Sequence, residues 1–305
     1  MTLDRFHGVM AVLQLPYHEN LSIDYETLSR EIDWNFDHGV TGVVLALASE
    51  IFRLTDTERD ELAERTVGFT KERGPVIISV GAESSFQAVR HARNAERAGA
   101  DAVMAIPPVM TRCPADQIGA YYEELLGAIS LPVIIQDASG YVGAALSIQS
   151  QADLFASAPD RIMFKPEAQP LGPTISALAE ATDRRSRIFE GSGGLALVES
   201  FIRGVSGTMP GGEWPWVMTD LWNSLTTGDM DRARAIHSPL AGIVSMLHNL
   251  DGFIAIEKML LCEQGIFKNT LIRGPVGYRL DDTSRDQVLH LFRELEEICG
   301  KGSTE

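Results

Sequence analysis

Short runs of hydrophobic residues recur along the first two thirds of the chain, and each is followed by a segment whose apolar residues repeat with helical spacing. The runs are continuous rather than alternating, which is typical of parallel strands covered on both faces. Eight runs are therefore predicted to be strands, at residues 8–16, 41–49, 75–81, 99–108, 131–137, 161–165, 187–191 and 205–211.

The segments between these runs carry helix signals. Asp24 is a predicted N-cap for the first helix, and Thr55 with Glu58 three residues later predicts a capping box for the second. Eight strand–helix units in succession match an α/β fold of the (β/α)8 TIM barrel type. An open doubly wound sheet is the alternative, but no GxGxxG motif follows the first strand.

The strand pattern stops at Trp214, and the rest of the chain is predicted to be helical. We therefore expect a barrel over residues 1–225 and a C-terminal helical appendage over residues 226–305. The predicted helices span residues 214–227, 230–249, 252–267 and 283–299.

Composition limits the classes of partner. The 305 residues carry a formal net charge of -16, which argues against nucleic acid and anionic membranes but leaves room for a small anionic substrate. Cys113, Cys262 and Cys299 are far apart and are expected to be free thiols in a reducing compartment. No apolar run approaches a signal-peptide core or a membrane span, so we expect a cytoplasmic protein.

The sixth run, RIMFKPEAQP at residues 161–170, ends on a lysine. Strand alternation places Lys165 on the same face as Met163, and Pro166 ends the pairing because it has no N–H. A partly desolvated lysine gives up its proton more easily, and the neutral amine can form a Schiff base with a carbonyl compound. A lysine that simply leaves the sheet into solvent is the alternative interpretation.

The residues just after each strand are the candidates for function, because α/β barrels place their active sites at the carboxyl ends of the strands. These candidates are Leu47, Ala48, Ser49 and Glu50 after strand two, Pro107 and Pro108 after strand four, Gln136, Asp137, Ser139 and Tyr141 after strand five, Lys165 and Glu167 after strand six, Glu190 and Ser192 after strand seven, and Met209 and Gly211 after strand eight.

Four motifs together resemble the dihydrodipicolinate synthase/N-acetylneuraminate lyase family of class I pyruvate-type aldolases. GVMAVLQLPYHENLSID resembles the opening strand of that family, SEIFRLTDTERDEL its GE-x-x-x-L-T-x-x-E-R segment, and GVSGTMPG its eighth-strand glycine segment. FKPEA falls where the family has its Schiff-base lysine. The resemblance covers nearly the whole chain and implies a lyase that needs no cofactor and assembles as dimers or tetramers.

The chain departs from the family pattern at four places. Pro108 and Val109 stand where the family has paired tyrosines after strand four. Leu47 and Ala48 stand where the family has a hydroxyl pair for the substrate carboxylate, so backbone N–H groups and Ser49 are expected to bind it. Gln136 replaces the tyrosine that ends strand five; its amide can orient a substrate but cannot transfer a proton. Tyr141 lies where the synthases have an arginine. These departures argue against dihydrodipicolinate synthase activity and against sialic acid cleavage.

We predict a Schiff-base lyase, an aldolase or a hydro-lyase, that acts on a 2-oxo acid through Lys165. Gln136 and Tyr141 are predicted to assist the lysine. The group that transfers the proton stays open among Tyr141, Glu167, Asp137, Glu190 and a bound water. The residues predicted to bind the substrate are Ala48, Ser49, Glu50, Glu167, Glu190 and Met209.

Two other hypotheses stay open. In the first, the carboxylates of Glu50, Asp137, Glu167 and Glu190 all face the barrel mouth and bind Mg²⁺ or Mn²⁺, which would make the chain a metal-dependent lyase. Alternatively, the barrel binds a keto acid without catalysis. The seven histidines show no zinc-binding spacing, and no metal site is predicted.

Overall fold

The computed structural model describes residues 3–247 and 249–300. Eight parallel strands close into one barrel, in which each strand pairs with the next and the eighth pairs with the first. This confirms the predicted TIM barrel. The strands are β1 Gly8–Val12, β2 Gly42–Leu45, β3 Val76–Ser79, β4 Ala102–Ala105, β5 Val133–Asp137, β6 Ile162–Pro166, β7 Arg187–Glu190 and β8 Gly207–Thr208.

Alternation along the strands separates two layers of core. Met10, Ile134 and Met163 pack together in the barrel interior. Phe164 instead belongs to the larger cluster between the strands and the surrounding helices. Because Lys165 is two residues beyond Met163, its side chain lies on the interior side of β6, as the alternation predicts.

The strands are shorter than the hydrophobic runs that predict them. The fourth run narrows to Ala102–Ala105, because Gly99 takes a φ of 91° to end the preceding helix and because Pro107 and Pro108 have no N–H to donate. The eighth narrows to Gly207–Thr208. The hydrophobic runs therefore include the turns that lead into and out of the barrel.

Helices alternate with the strands. The caps predicted for the first two helices are confirmed. The Asp24 carboxylate accepts a hydrogen bond from the Thr27 N–H, and Thr55 forms a capping box with Glu58. These helices are α1 Tyr25–Asp37, α2 Asp56–Thr70, α3 Ser85–Ala98, α4 Ala115–Ala128, α5 Ile148–Ser157, α6 Leu171–Ala181, α7 Leu197–Ile202 and α8 Pro215–Thr227.

Three more helices complete the described chain: α9 Met230–Val244, α10 Leu250–Glu263 and α11 Asp282–Ile298. Helix α9 packs against α8 and α11, whereas α10 packs against a 3-10 turn, Leu47–Ser49, that follows β2. The predicted boundary at residue 225 falls inside α8, and the division into two domains stays a prediction. Residue 248 of the predicted helix 230–249 and residues 301–305 of the predicted appendage lie outside the described residues.

Two expectations about the chemistry of the whole chain can be compared with the structure. Cys113 and Cys262 are free thiols, as predicted. Within the described residues, no helix has both the length and the apolar character needed to cross a membrane.

Candidate active site

A cleft with an open volume of about 440 Å³ lies at the carboxyl ends of the strands, where α/β barrels bind their substrates. Lys165 is the only cation among its described lining residues, and Tyr141 carries the only hydroxyl. The lining consists of Val12, Ala46, Leu47, Ala48, Gln136, Tyr141, Lys165, Glu167, Gly191, Gly193, Met209, Gly211, Leu250, Phe253 and Glu257.

The side chains of Lys165, Glu167 and Gln136 form one connected group in this cleft. Lys165 is 5 % exposed, and its Nζ lies 2.6 Å from Glu167 Oε1. Gln136, which is opposite Lys165 in the pairing of β5 with β6, donates through Nε2 to the same oxygen at 2.9 Å. One carboxylate oxygen therefore contacts both the predicted nucleophile and the amide that replaces the family tyrosine.

The backbone around Glu167 holds this carboxylate in place. The Glu167 N–H donates to Asp137 O at 2.9 Å, so the chain stays joined to β5 after Pro166 ends the strand. Gly191, after β7, leaves the room that the two side chains need. A Cβ there would lie 2.6 Å from Glu167 Cγ and 3.2 Å from Lys165 Cε, so any larger residue would displace them.

Tyr141 forms another wall of the cleft. Its hydroxyl donates to Gly191 O at 3.3 Å, and its ring packs edge-on against Phe253 of α10. Burial, and next the Glu167 carboxylate, raise the pKa of Tyr141 well above its ordinary value. Tyr141 is therefore a protonated phenol, which can donate a hydrogen bond but cannot act as a base near neutral pH.

The predicted substrate-binding residues divide into two groups. Ala48 and Met209 line the cleft, and so does Leu47. Ser49 does not, because its hydroxyl donates to Leu13 O at 2.6 Å and accepts from the Ala46 N–H at 3.0 Å. The Ser49 side chain thus holds the 3-10 turn in shape. The backbone N–H groups of Leu47 and Ala48, which open this turn, have no acceptor within it.

Glu50 is engaged away from the cleft. Its carboxylate pairs with the Lys258 ammonium and accepts a hydrogen bond from the Arg273 N–H at 3.2 Å. Lys258 also donates to Leu271 O at 2.7 Å and lies over the Tyr17 ring. Glu50 therefore joins β2 to α10 and to the chain after it.

Glu190 and Asp137 are also occupied by neighbouring protein groups. Glu190 accepts from the Thr208 hydroxyl at 2.6 Å and from the Ser192 N–H at 2.7 Å. Asp137 accepts from the Leu146 N–H at 3.0 Å. The four carboxylates of the metal hypothesis thus have separate partners, and no cluster of three or more His, Cys, Asp or Glu among the described residues is placed to hold a metal ion.

Glu257 of α10 lines the cleft and was not predicted. It is 3 % exposed, and its Oε2 atom has no hydrogen-bond partner among the described residues. Burial raises the pKa of Glu257 to about 8, although Lys165 and Lys258 act in the opposite direction. The signal that could have found it is the Glu257–Lys258 charged pair inside the otherwise apolar segment GFIAIEKMLL.

Comparison with known proteins gives one consistent result. A model of the dihydrodipicolinate synthetase family matches residues 5–294. Among curated proteins, the chain is 26 % identical to L-2-keto-3-deoxyarabonate dehydratase of Azospirillum brasilense over 96 % of each chain. It is 23 % identical to 4-hydroxy-tetrahydrodipicolinate synthase of Parabacteroides distasonis over 96 % of this chain and 98 % of the other.

Solved structures agree with the sequence comparisons. The dihydrodipicolinate synthase of Rhodopseudomonas palustris superposes with a TM-score of 0.88 and 26 % identity, covering 97 % of this chain and 99 % of the other. Similarity therefore extends over whole chains and includes both a dehydratase and synthases.

Proposed function

We propose that this chain, which belongs to the dihydrodipicolinate synthetase family, is a hydro-lyase that removes water from a hydroxylated 2-oxo acid bound to Lys165 as a Schiff base. Membership of the family makes it a lyase of the aldolase or dehydratase type. The observation that carries the choice of dehydration is the contact of Glu167 with Lys165 at 2.6 Å, because it places a carboxylate beside the reacting carbons.

The imine forms with Glu167 as the proton carrier. Glu167 accepts a proton from the Lys165 ammonium, and the neutral amine attacks C2 of the 2-oxo acid. The carbinolamine hydroxyl then takes this proton from Glu167 and leaves as water. The products of this stage are a protonated imine and an ionised Glu167.

Elimination uses the same carboxylate a second time. Glu167 removes a proton from C3, and the electrons of that C–H bond move into the imine to give an enamine. The enamine expels the C4 hydroxyl, which takes the proton from Glu167 and leaves as water. Hydrolysis then releases an unsaturated 2-oxo acid and restores the Lys165 ammonium beside the Glu167 carboxylate.

The other cleft residues position the substrate. Gln136 fixes Glu167 Oε1 through its amide and, lacking a pKa near neutrality, takes no part in proton transfer. Tyr141 donates a hydrogen bond to the substrate or to Gly191 O. The backbone N–H groups of Leu47 and Ala48 receive the substrate carboxylate, in the role that the family gives to a hydroxyl pair.

The dehydratase relative supports this choice over aldol cleavage. L-2-keto-3-deoxyarabonate dehydratase is similar over 96 % of both chains, and its name describes loss of water from a 3-deoxy 2-oxo acid. Gln136 gives a second argument, because an amide at this position offers no phenol for the proton relay of a condensing enzyme.

The test is to incubate the protein with a panel of 3-deoxy 2-oxo acids that carry a C4 hydroxyl and to weigh the products by mass spectrometry. Dehydration gives a product lighter by one water, whereas aldol cleavage gives pyruvate and an aldehyde. Cleavage, activity abolished by EDTA, or imine formation without any product would each contradict the proposal.

We also propose that the chain is a cytoplasmic homo-oligomer, a dimer or a tetramer, as the family resemblance implies; the free thiols of Cys113 and Cys262 support the compartment. Light scattering at micromolar concentration should give a mass at least twice that of the 33.4 kDa chain. A monomer at that concentration would contradict the assembly.

A further inference from the structure

We propose that Glu257, in its acid form, donates a hydrogen bond to the carboxylate of the 2-oxo acid. The inference rests on the proposed function and extends it to a side chain to which no role has been given. Three features of the molecule support it: the charges around the cleft, the neighbours of Glu257, and the packing of its helix against the turn at Leu47–Ser49.

The balance of charge is the first argument. Each of the two buried lysines near the cleft already has a carboxylate of its own, since Lys165 pairs with Glu167 and Lys258 pairs with Glu50. Glu257 is a further buried carboxyl, and its unpartnered Oε2 makes no ion pair with a described lysine or arginine. A buried carboxyl without a cation of its own is more stable as the neutral acid.

Two more buried carboxyls lie behind Glu257 and strengthen this argument. Glu213 Oε2 and Glu257 Oε1 lie so close to Gly211 that a Cβ there would overlap both atoms. Glu31 Oε1 would lie 3.3 Å from a Cβ on Gly212. Because like charges this close disfavour one another, the cluster of Glu31, Glu213 and Glu257 holds protons rather than three negative charges.

The electrostatics around each group agree with this view. Burial raises the pKa of Glu31 and of Glu213 well above the ordinary value, and the charge of Glu257 acts in the same direction on both. Glu257 itself is raised to about 8, with Lys165 and Lys258 opposing the effect of burial. Burial and the neighbouring carboxyls therefore favour the protonated form of Glu257.

A neutral carboxyl is a hydrogen-bond donor, and this cleft has few others. Among its described lining residues, only Lys165, Tyr141 and Gln136 offer side-chain donors besides Glu257. Lys165 is consumed by the imine, and the Gln136 amide already donates to Glu167. Tyr141 donates to Gly191 O. A substrate carboxylate held by the backbone N–H groups of Leu47 and Ala48 can therefore take a side-chain hydrogen bond from neutral Glu257, whereas an ionised Glu257 would repel it.

The position of Glu257 on helix α10 also supports the inference. Helix α10 packs against the 3-10 turn Leu47–Ser49, and the Lys258–Glu50 pair fixes the helix beside that turn. Glu257, the residue before Lys258, lines the same cleft as Leu47 and Ala48, and its Oε1 lies beside Gly211. Leu47 and Ala48 stand where the family has its carboxylate-binding hydroxyls, so Glu257 adds a side-chain donor to the backbone N–H groups of the turn.

In the test, cyanoborohydride reduces the imine that pyruvate forms and so inactivates the protein. The quantity measured is the pyruvate concentration that gives half-maximal inactivation. It is measured between about pH 6.5 and about pH 9.5. Pyruvate has no hydroxylated tail, so it reports on the carboxylate and the carbonyl alone. Wild type is compared with Glu257→Gln, whose amide donates at every pH, and with Glu257→Leu. Comparing the pH profiles of wild type and variants separates the effect of Glu257 from the titration of the other groups that face it. These groups are Lys165, Glu167, Tyr141, Glu31, Glu213 and Lys258.

Above the pKa of about 8, the half-saturating concentration of wild type should rise relative to Glu257→Gln by about tenfold for each pH unit. At pH 7, Glu257→Leu should need roughly tenfold to hundredfold more pyruvate than wild type, the worth of a hydrogen bond to a charged group. Pyruvamide, which has no charge to repel, should not show the rise at high pH.

Equal pH profiles for wild type and Glu257→Gln, or an unchanged half-saturation in Glu257→Leu, would overturn the inference. So would the same rise with pyruvamide. These outcomes differ from a failure of the proposed function, in which wild type would not be trapped at any pH or would be trapped but would not dehydrate the hydroxylated 2-oxo acids. Thermal unfolding of each variant identifies a merely structural role, which would lower stability without changing the ratio of the pH profiles.

Discussion

The two buried lysine–glutamate pairs of this molecule resemble each other in chemistry and differ in their surroundings. Lys258 is fully buried, pairs with Glu50, donates to Leu271 O and lies 4.5 Å from the centroid of the Tyr17 ring. Lys165 is 5 % exposed, pairs with one carboxylate and borders an open cleft. Lys258 therefore has protein partners on several sides, and Lys165 has a free path to a small molecule.

The difference shows that burial and a shifted pKa do not by themselves identify a reactive amine. Burial lowers the pKa of Lys258, yet no carbonyl compound can reach its nitrogen among these partners. What distinguishes Lys165 is the cleft at the end of β6, through which a carbonyl compound reaches both its nitrogen and the carboxylate that exchanges a proton with it. The reactive lysine is recognised by access and by its proton partner.

The largest expected effect comes from replacing the two lysines one at a time. Lys165→Ala should lower kcat/KM by at least roughly 10³-fold, since no other amine among the described residues lines the cleft. Lys258→Met should instead lower the free energy of unfolding by about 3–5 kcal/mol, because it leaves Glu50 buried without its main partner.

Turnover of the same substrate and chemical denaturation of both variants measure these two effects. The folded fraction of Lys258→Met should still form the imine. Comparable loss of turnover in both variants at equal folded fraction would remove the distinction between the two pairs.

The next effect concerns the proton partner of Lys165. Glu167→Gln keeps the size of the side chain but removes the base, so kcat for dehydration should fall roughly 10²- to 10⁴-fold. Glu167→Asp keeps a carboxylate but draws it back from Lys165, and it should lose less activity. Single-turnover measurements would check both values, and unchanged dehydration in Glu167→Gln would assign the proton transfer to another group.

The smallest effect is expected at Gln136. Gln136→Leu removes the hydrogen bond to Glu167 and should lower kcat by about tenfold. Gln136→Tyr introduces the phenol that the family carries and distinguishes two explanations of its absence. If the missing phenol limits family-type chemistry, aldol turnover of pyruvate should rise; if dehydration falls and no aldol activity appears, the glutamine belongs to a distinct mechanism.

Much of the fold could be predicted from the chain alone, because strand signals and helix caps are local. The hydrophobic runs located all eight strands, and the alternation around Met163 gave the direction of Lys165. Strand ends were less certain. The runs at residues 99–108 and 205–211 extend into turns where glycine or proline ends the strand pairing. A hydrophobic pattern does not show the residue at which the pairing ends.

The candidate site could be predicted only in part, because its members come from distant elements. Lys165 follows from its own strand, and Glu167 from being two residues further on. Glu257 does not follow, since a charged residue in a predicted helix is usually taken as solvent-exposed and only the packing of α10 brings it to the cleft. The Ser49 hydroxyl illustrates the reverse, because a residue at a strand end can turn inward to hold the backbone.

The measurement that tests the central claim most directly is reduction of the protein with borohydride in the presence of pyruvate or another 2-oxo acid, followed by peptide mapping. The added mass should lie on the peptide that contains Lys165, should be absent from the peptide that contains Lys258, and should be unaffected by EDTA. Lys165→Ala should abolish it. An unmodified Lys165 across a broad panel of 2-oxo acids, or a label on Lys258, would contradict the account.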